Sequence, residues 1–161
     1  MTNPLSNEND PFIYSQYYAI QGISHIPIIP RSKKAMVEWK EYQTRLPTPE
    51  EQLKWFNTEK PSIAVVCGKI SGNLCVIDFD GIDAFNKHLG QEFLKKTAVV
   101  KTNRGIHVWI KTTQPVKPQH YKLENGDGID ILGEGSIAIA PPSIHESGHQ
   151  YQFISETLDI A

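Results

Sequence analysis

Residues 74–111 restrict the fold more than any other part of the chain. An apolar run of strand length, 74–80, ends in Asp78-Phe79-Asp80. Residues 82–96 then place Phe85, Leu89, Phe93 and Leu94 at helical spacing. Two further strand-like runs, 97–102 and 106–111, flank the short turn Asn103-Arg104-Gly105. A strand, a helix and a strand pair in that order bury their apolar faces best in an α+β domain built on one mixed or mostly antiparallel sheet.

The rest of the chain fits this class. Asp10-Pro11 reads as an N-cap followed by proline at the first helical position, ahead of Phe12, Ile13, Tyr17 and Ile20. Residues 23–29 read as a strand, and Pro27 inside it predicts an edge position. Residues 30–47 are loop-like. Thr48-Pro49-Glu50-Glu51 is a capping box that opens a second helix. The strands 62–68 and 74–80, joined through Ser71-Gly72-Asn73, predict a hairpin. After a proline-containing linker come strands at 128–132, 136–140 and 150–154. Residues 1–10 read as a flexible lead, and 11–161 as a single domain.

Composition removes several functions. Hydrophobic residues are 39% of the 161, enough for a core. There is no apolar stretch of about 18 residues to span a membrane, and the polar N-terminus is not a secretory signal. Two cysteines make neither a disulfide framework nor a zinc knuckle, so a reduced, cytoplasmic protein is expected. A net charge of −2 excludes a broadly basic nucleic-acid coat. Charge is nevertheless uneven. Lys95, Lys96, Lys101, Arg104, Lys111, Lys117 and Lys122 fall in a stretch without Asp or Glu. That stretch is either a solvated face or a surface for polyphosphate or a nucleic-acid backbone.

Chemistry-bearing residues cluster around the restrictive segment. Asp78 and Asp80 share one face of a strand. Two charges about 5 Å apart repel by roughly 3 kcal/mol at an effective dielectric near 20. Either a cation answers them, with Mg²⁺ or Mn²⁺ suiting hard oxygen ligands, or they stand half in water at a strand end. Asp130 lies between apolar residues in Gly128-Ile129-Asp130-Ile131-Leu132, where an acid needs a partner or an edge. His107, Trp109 and Lys111 share the face of their strand opposite Ile106, Val108 and Ile110. Arg104 precedes them, and Gly105 reads as a point where a ligand could approach the backbone. Pro141-Pro142-Ser143-Ile144-His145 holds a hydroxyl and an imidazole two residues apart in a stiff loop suited to phosphate oxygens. His25, His88, His120 and His149 receive no role. The two cysteines lie on strands expected to be buried, which disfavours a thiol nucleophile. No G-x-S-x-G, Walker A or G-x-G-x-x-G is present.

The ordered set Asp78-x-Asp80, Gly105-x-His107, Ile129-Asp130, Pro141-Pro142-Ser143-x-His145 resembles the primase–polymerase (prim-pol) domain of the archaeo-eukaryotic primase superfamily, found in replication proteins of plasmids, phages and mobile elements. The stretches Ser32-Lys33-Lys34-Ala35 with Trp39, Val66 to Leu74, and Val100-Lys101-Thr102-x-Arg104 extend the likeness over roughly residues 14–153. The resemblance implies an RRM-like catalytic sheet beside a small N-terminal α/β lobe. It implies that Asp78, Asp80 and Asp130 bind two divalent ions, Mg²⁺ or Mn²⁺. It implies that His107 contacts the incoming nucleotide's phosphates, joined by Arg104, Ser143, His145 and a lysine of the Lys33-Lys34 pair, for which Lys34 is taken. The expected reaction is nucleotidyl transfer from a dNTP or NTP, extending a primer on a DNA template along the 95–122 stripe. De novo initiation stays open. The resemblance also allows a helicase or helical accessory domain, outside this chain, as a partner.

Three other readings stand beside it. The core could be a non-catalytic nucleic-acid-binding replication module, although every expected acid and the histidine are present. Asp78-Phe79-Asp80-Gly81 resembles the start of haloacid-dehalogenase-type phosphatases. Here, however, it lies far from the chain start, and the later Asp127 and Asp130 are three apart where that family uses four. A sugar-nucleotide transferase with a D-x-D metal site is the third, and the chain is short for that fold.

Overall fold

A computed structural model describes residues 5, 8–57 and 59–161. In chain order the elements are α1 (Pro11–Ile20), β1 (His25–Ile28), α2 (Pro49–Phe56), β2 (Ser62–Val66), β3 (Leu74–Phe79), α3 (Ile82–His88), β4 (Val99–Lys101), β5 (Ile106–Lys111), β6 (Gln119–Lys122), β7 (Gly128–Leu132), β8 (Ile137–Ala140) and β9 (Gln152–Phe153). The class is α+β, as expected. The helix starts follow their local chemistry. The Asp10 carboxylate accepts from the Phe12 N–H at 3.0 Å. Thr48 and Glu51 cap α2 reciprocally, side chain to backbone in both directions. Among the described residues no helix is long and apolar enough to cross a membrane.

Two sheets form, where the strand pattern alone predicted one and the resemblance implied a catalytic sheet beside a small lobe. The order β1-β2-β8 makes a three-stranded sheet, and β6-β7-β3-β5-β4-β9 a six-stranded one. Every strand pairing is antiparallel. β1 is an edge strand, as Pro27 required. The larger core joins α1, α2 and the small sheet to one face of the large sheet through Tyr18, Phe56, Ile63, Val76 and Trp109. The opposite face packs Phe79, Val99, Ile106 and Val108 on Ala84 and Phe85 of α3. β5 therefore alternates as its sequence alternates, with Ile106 and Val108 towards α3 and Trp109 towards α1.

The expected hairpin between 62–68 and 74–80 does not exist. β2 and β3 enter different sheets, and a single bridge, Gly68 to Leu74, joins them. Gly68 (φ +96°) and Gly72 (φ +69°) enclose a 3₁₀ turn that turns the chain from one sheet to the other. A Cβ on Gly68 would stand 1.7 Å from a carboxylate oxygen of Glu134, which accepts from the Lys69 N–H at 2.8 Å. The helix expected over 82–96 is also shorter. It ends at His88, and Gly90 (φ +82°) leads into a 3₁₀ helix at Gln91–Lys95. The linker after β5 contains an unforeseen strand, β6. Of the lead expected over 1–10, residues 1–4, 6 and 7 lie outside the described residues. Leu5 is buried, Tyr14 donates to the Glu8 carbonyl at 2.9 Å, and Gln150 donates to Asn9.

Candidate active site

One row of residues crosses the large sheet. His107 on β5 pairs with Asp78 on β3, Asp78 with Asp130 on β7, and Asp130 with His120 on β6. Directly paired residues present their side chains on the same face. The row is thus histidine, acid, acid, histidine. Asp80 lies two residues beyond Asp78, where its N–H continues the ladder to the Gly128 carbonyl at 2.9 Å. The strand parity read for Asp78 and Asp80 places both beside Asp130.

Each acid is answered by a side chain of its own protein. His107 Nε2 is 3.4 Å from Asp78 Oδ1, Arg104 Nη2 is 2.5 Å from Asp80 Oδ1, and His120 Nδ1 is 2.5 Å from Asp130 Oδ1. The closest contact is to Oδ1 in every case, and among the described residues no hydrogen bond reaches Oδ2. Burial alone would raise the Asp78 carboxyl. The hydrogen-bonding influence and charge of His107, with the charge of Lys33, outweigh it and hold Asp78 below its ordinary value. His107 is itself 5% exposed, and its buried Nδ1 has no hydrogen-bond partner among the described residues.

The turn between β4 and β5 sets Arg104. A Cβ on Gly105 would lie 1.8 Å from the Phe79 carbonyl oxygen and 3.0 Å from the Gly81 nitrogen. The glycine thus admits the chain's own backbone at the end of β3, rather than the ligand expected there. The Gly105 N–H donates to Thr102 Oγ1 at 3.0 Å, which closes the turn. Arg104 is held over Asp80 as a result.

The acids face a pocket of about 470 Å³. Asp78, Asp80, Asp130, Arg104, His107 and His145 all line it, so most of the residues singled out in the sequence meet there. Two do not. Ser143 is buried away from the pocket, where its hydroxyl donates to the Ile63 carbonyl at 3.0 Å and accepts from the Ile63 N–H at 2.9 Å. It ties the exit of β8 to β2. Lys34 is exposed outside the pocket, and Lys33 lines it instead. Tyr151 also lines the pocket, its ring centroid 6.1 Å from His107 and 6.5 Å from His145. Burial and the nearby Asp78 charge raise its phenol. A smaller cavity of about 160 Å³ continues past Lys33, His145 and Tyr151 to Arg31. Cys67 and Cys75 are buried, and burial pushes the Cys67 thiol up to about 12.

The basic stripe does not form one face. Lys101 pairs with Ile106, and Lys122 with Gly128, at the Asp80 end of the sheet near Arg104. Lys111 pairs with Leu74 at the opposite end. Lys95 and Lys96 precede Thr97, whose hydroxyl bonds the Trp109 carbonyl near that same end, and Lys117 follows Val116, which bonds Glu134 beyond β7.

Among the described residues no group of three His, Cys, Asp or Glu side chains is gathered to hold a metal ion. The donor set nevertheless fits a hard divalent cation: three carboxylates at one pocket, each with an uncommitted oxygen. A family model described as "Bifunctional DNA primase/polymerase, N-terminal" (Prim-Pol) matches residues 15–161. No curated protein matches the chain.

Proposed function

Because the chain belongs to the bifunctional DNA primase/polymerase N-terminal family, we propose that it is a catalytic nucleotidyltransferase domain that adds nucleotides to a primer on a DNA template. The observation that carries this reading is the register row, which sets Asp78, Asp130 and His107 side by side in a pocket rimmed by cationic side chains. Asp78, Asp80 and Asp130 are the residues that would hold Mg²⁺ or Mn²⁺. Such ions, when bound, make a 3′-hydroxyl more nucleophilic and neutralise charge on the transferring phosphoryl group.

The chain's own residues do the rest. Arg104, Lys33 and His145 face the pocket and supply donors for the nucleotide's phosphates, where preorganised charge stabilises the departing pyrophosphate. Arg104 neutralises Asp80 in the absence of substrate. A triphosphate competes for the same guanidinium, so nucleotide arrival frees the carboxylate. His107, packed beneath Asp78, holds that carboxylate ionised and keeps it oriented. Ser143 and Lys34 are no part of this proposal.

The test is template-directed extension of a labelled primer with dNTPs or NTPs and Mg²⁺ or Mn²⁺, beside an Asp78→Ala, Asp80→Ala double variant and a lane without primer. The expected outcome is metal-dependent extension, reduced at least ~10²-fold in the variant, with an unchanged circular dichroism spectrum. Full activity in the variant overturns the metal-site assignment. DNA binding without metal-dependent incorporation in the wild type returns the non-catalytic binding module.

A further inference from the structure

β6 is a strand that apolar burial does not explain. All four of its residues, Gln119–Lys122, are exposed, and it is paired on one side alone. Its register brings His120 opposite Asp130. His120 Nδ1 lies 2.5 Å from Asp130 Oδ1. An ionised carboxylate only accepts, so Nδ1 carries the hydrogen and donates. A Cβ at Gly128 would stand 3.2 Å from His120 Cε1, tighter than ordinary packing, and the glycine leaves that space open. The contact takes one oxygen of Asp130 and leaves Oδ2 without a hydrogen bond among the described residues.

We propose that His120 is a positioning residue for Asp130, fixing its carboxylate by an Nδ1–H hydrogen bond so that Oδ2 faces the pocket for a divalent cation. The proposal rests on the metal-binding reading of Asp78, Asp80 and Asp130. His120 mirrors His107 across the row, so each of the two central acids has an imidazole on the neighbouring strand away from the other acid. Hydrogen bonds behind a metal ligand restrict its rotation, and their removal typically weakens the metal 10–100-fold. His120 does not touch the reacting atoms. It acts through Asp130.

Mn²⁺ binding to the purified chain, without nucleotide or DNA, separates the outcomes. The free ion is followed by electron paramagnetic resonance, and thermal melts confirm folding of each variant. His120→Ala is expected to weaken Mn²⁺ binding about 10-fold. His120→Asn places an amide N–H near the position of Nδ1 and is expected to recover most of that loss. His120→Gln, whose donor reaches the position of Nε2 instead, is expected to behave like the alanine variant. In extension assays the Mn²⁺ concentration for half-maximal rate moves, while the nucleotide KM at saturating metal does not. Wild-type Mn²⁺ affinity in His120→Ala overturns the proposal and leaves the metal site standing. Equal weakening in the alanine and asparagine variants also overturns it, since the donor at Nδ1 is then irrelevant. A wild-type chain that takes up no Mn²⁺ overturns the metal reading itself, and this proposal with it.

Discussion

At Gly105 the absence of a side chain has a specific use, because the Phe79 carbonyl oxygen occupies the space a Cβ would need. Gly105→Ala must move the turn off the end of β3 and Arg104 off Asp80. Such overpacking costs roughly 1–3 kcal/mol. Thermal melting is expected to show that destabilisation, and the nucleotide KM is expected to rise; an unchanged melt and KM would mean the turn adapts freely. Single residues were legible in the sequence where their argument was local. Strand parity alone put Asp78 and Asp80 on one face, and the alternation of 106–111 put His107 opposite the α3 side. Partners brought by distant segments were not legible. Lys33 and Lys34 are adjacent, and only the loop geometry decides which one enters the pocket. Ser143 sits in a loop suited to phosphate, yet its hydroxyl is committed to a backbone 80 residues earlier. His120 acquired its meaning from a register that no local pattern announces.

Elements with strong local chemistry, such as the two capped helices and the 106–111 strand, formed where the sequence placed them. The failures have physical causes. Residues 62–80 look like a hairpin because a Gly-Asn turn separates two apolar runs, but two glycines at positive φ redirect the second run to another sheet. β6 has no apolar alternation to read, since neither of its faces is buried. β1 carries a feature with a measurable consequence. His25 is fully buried, its Nδ1–H donating to the Ile23 carbonyl at 2.9 Å and its Nε2 2.7 Å from Ser15 Oγ. Burial lowers it from 6.5 to about 4, against the backbone hydrogen bond, which acts to raise it. The folded chain therefore stays neutral at His25 where the unfolded chain takes up a proton. Stability is expected to fall as the pH drops from about 6.5 towards 4, by at most about 1.4 kcal/mol per pH unit from this group. Urea melts across that range check it, with His25→Gln giving a flatter profile; equal slopes would remove His25 as the cause.

Over the whole molecule, charge is arranged by sheet end rather than by position along the chain. Lys101, Arg104 and Lys122 gather at the end that carries Asp80, away from Lys95, Lys96, Lys111 and Lys117. A nucleic-acid strand that reaches the acids should feel the first group. Lys101→Ala with Lys122→Ala is expected to weaken single-stranded DNA binding and to lower the salt slope by about 0.7 for each phosphate the protein no longer neutralises. Lys95→Ala with Lys111→Ala is expected to leave the slope unchanged. Fluorescence anisotropy at several salt concentrations measures both, and the reverse result would move the strand to the other end. The small sheet is also a matter of the whole chain, because β8 completes it on the open side of β2. During synthesis, at ~5–20 residues per second, the bare edge of β2 must wait several seconds for residues 137–140 to arrive. The small sheet thus cannot be finished until five of the six strands of the large one have been made. Until then an apolar strand stands open to any chain nearby, so a stalled or truncated product is an aggregation hazard rather than a folded half.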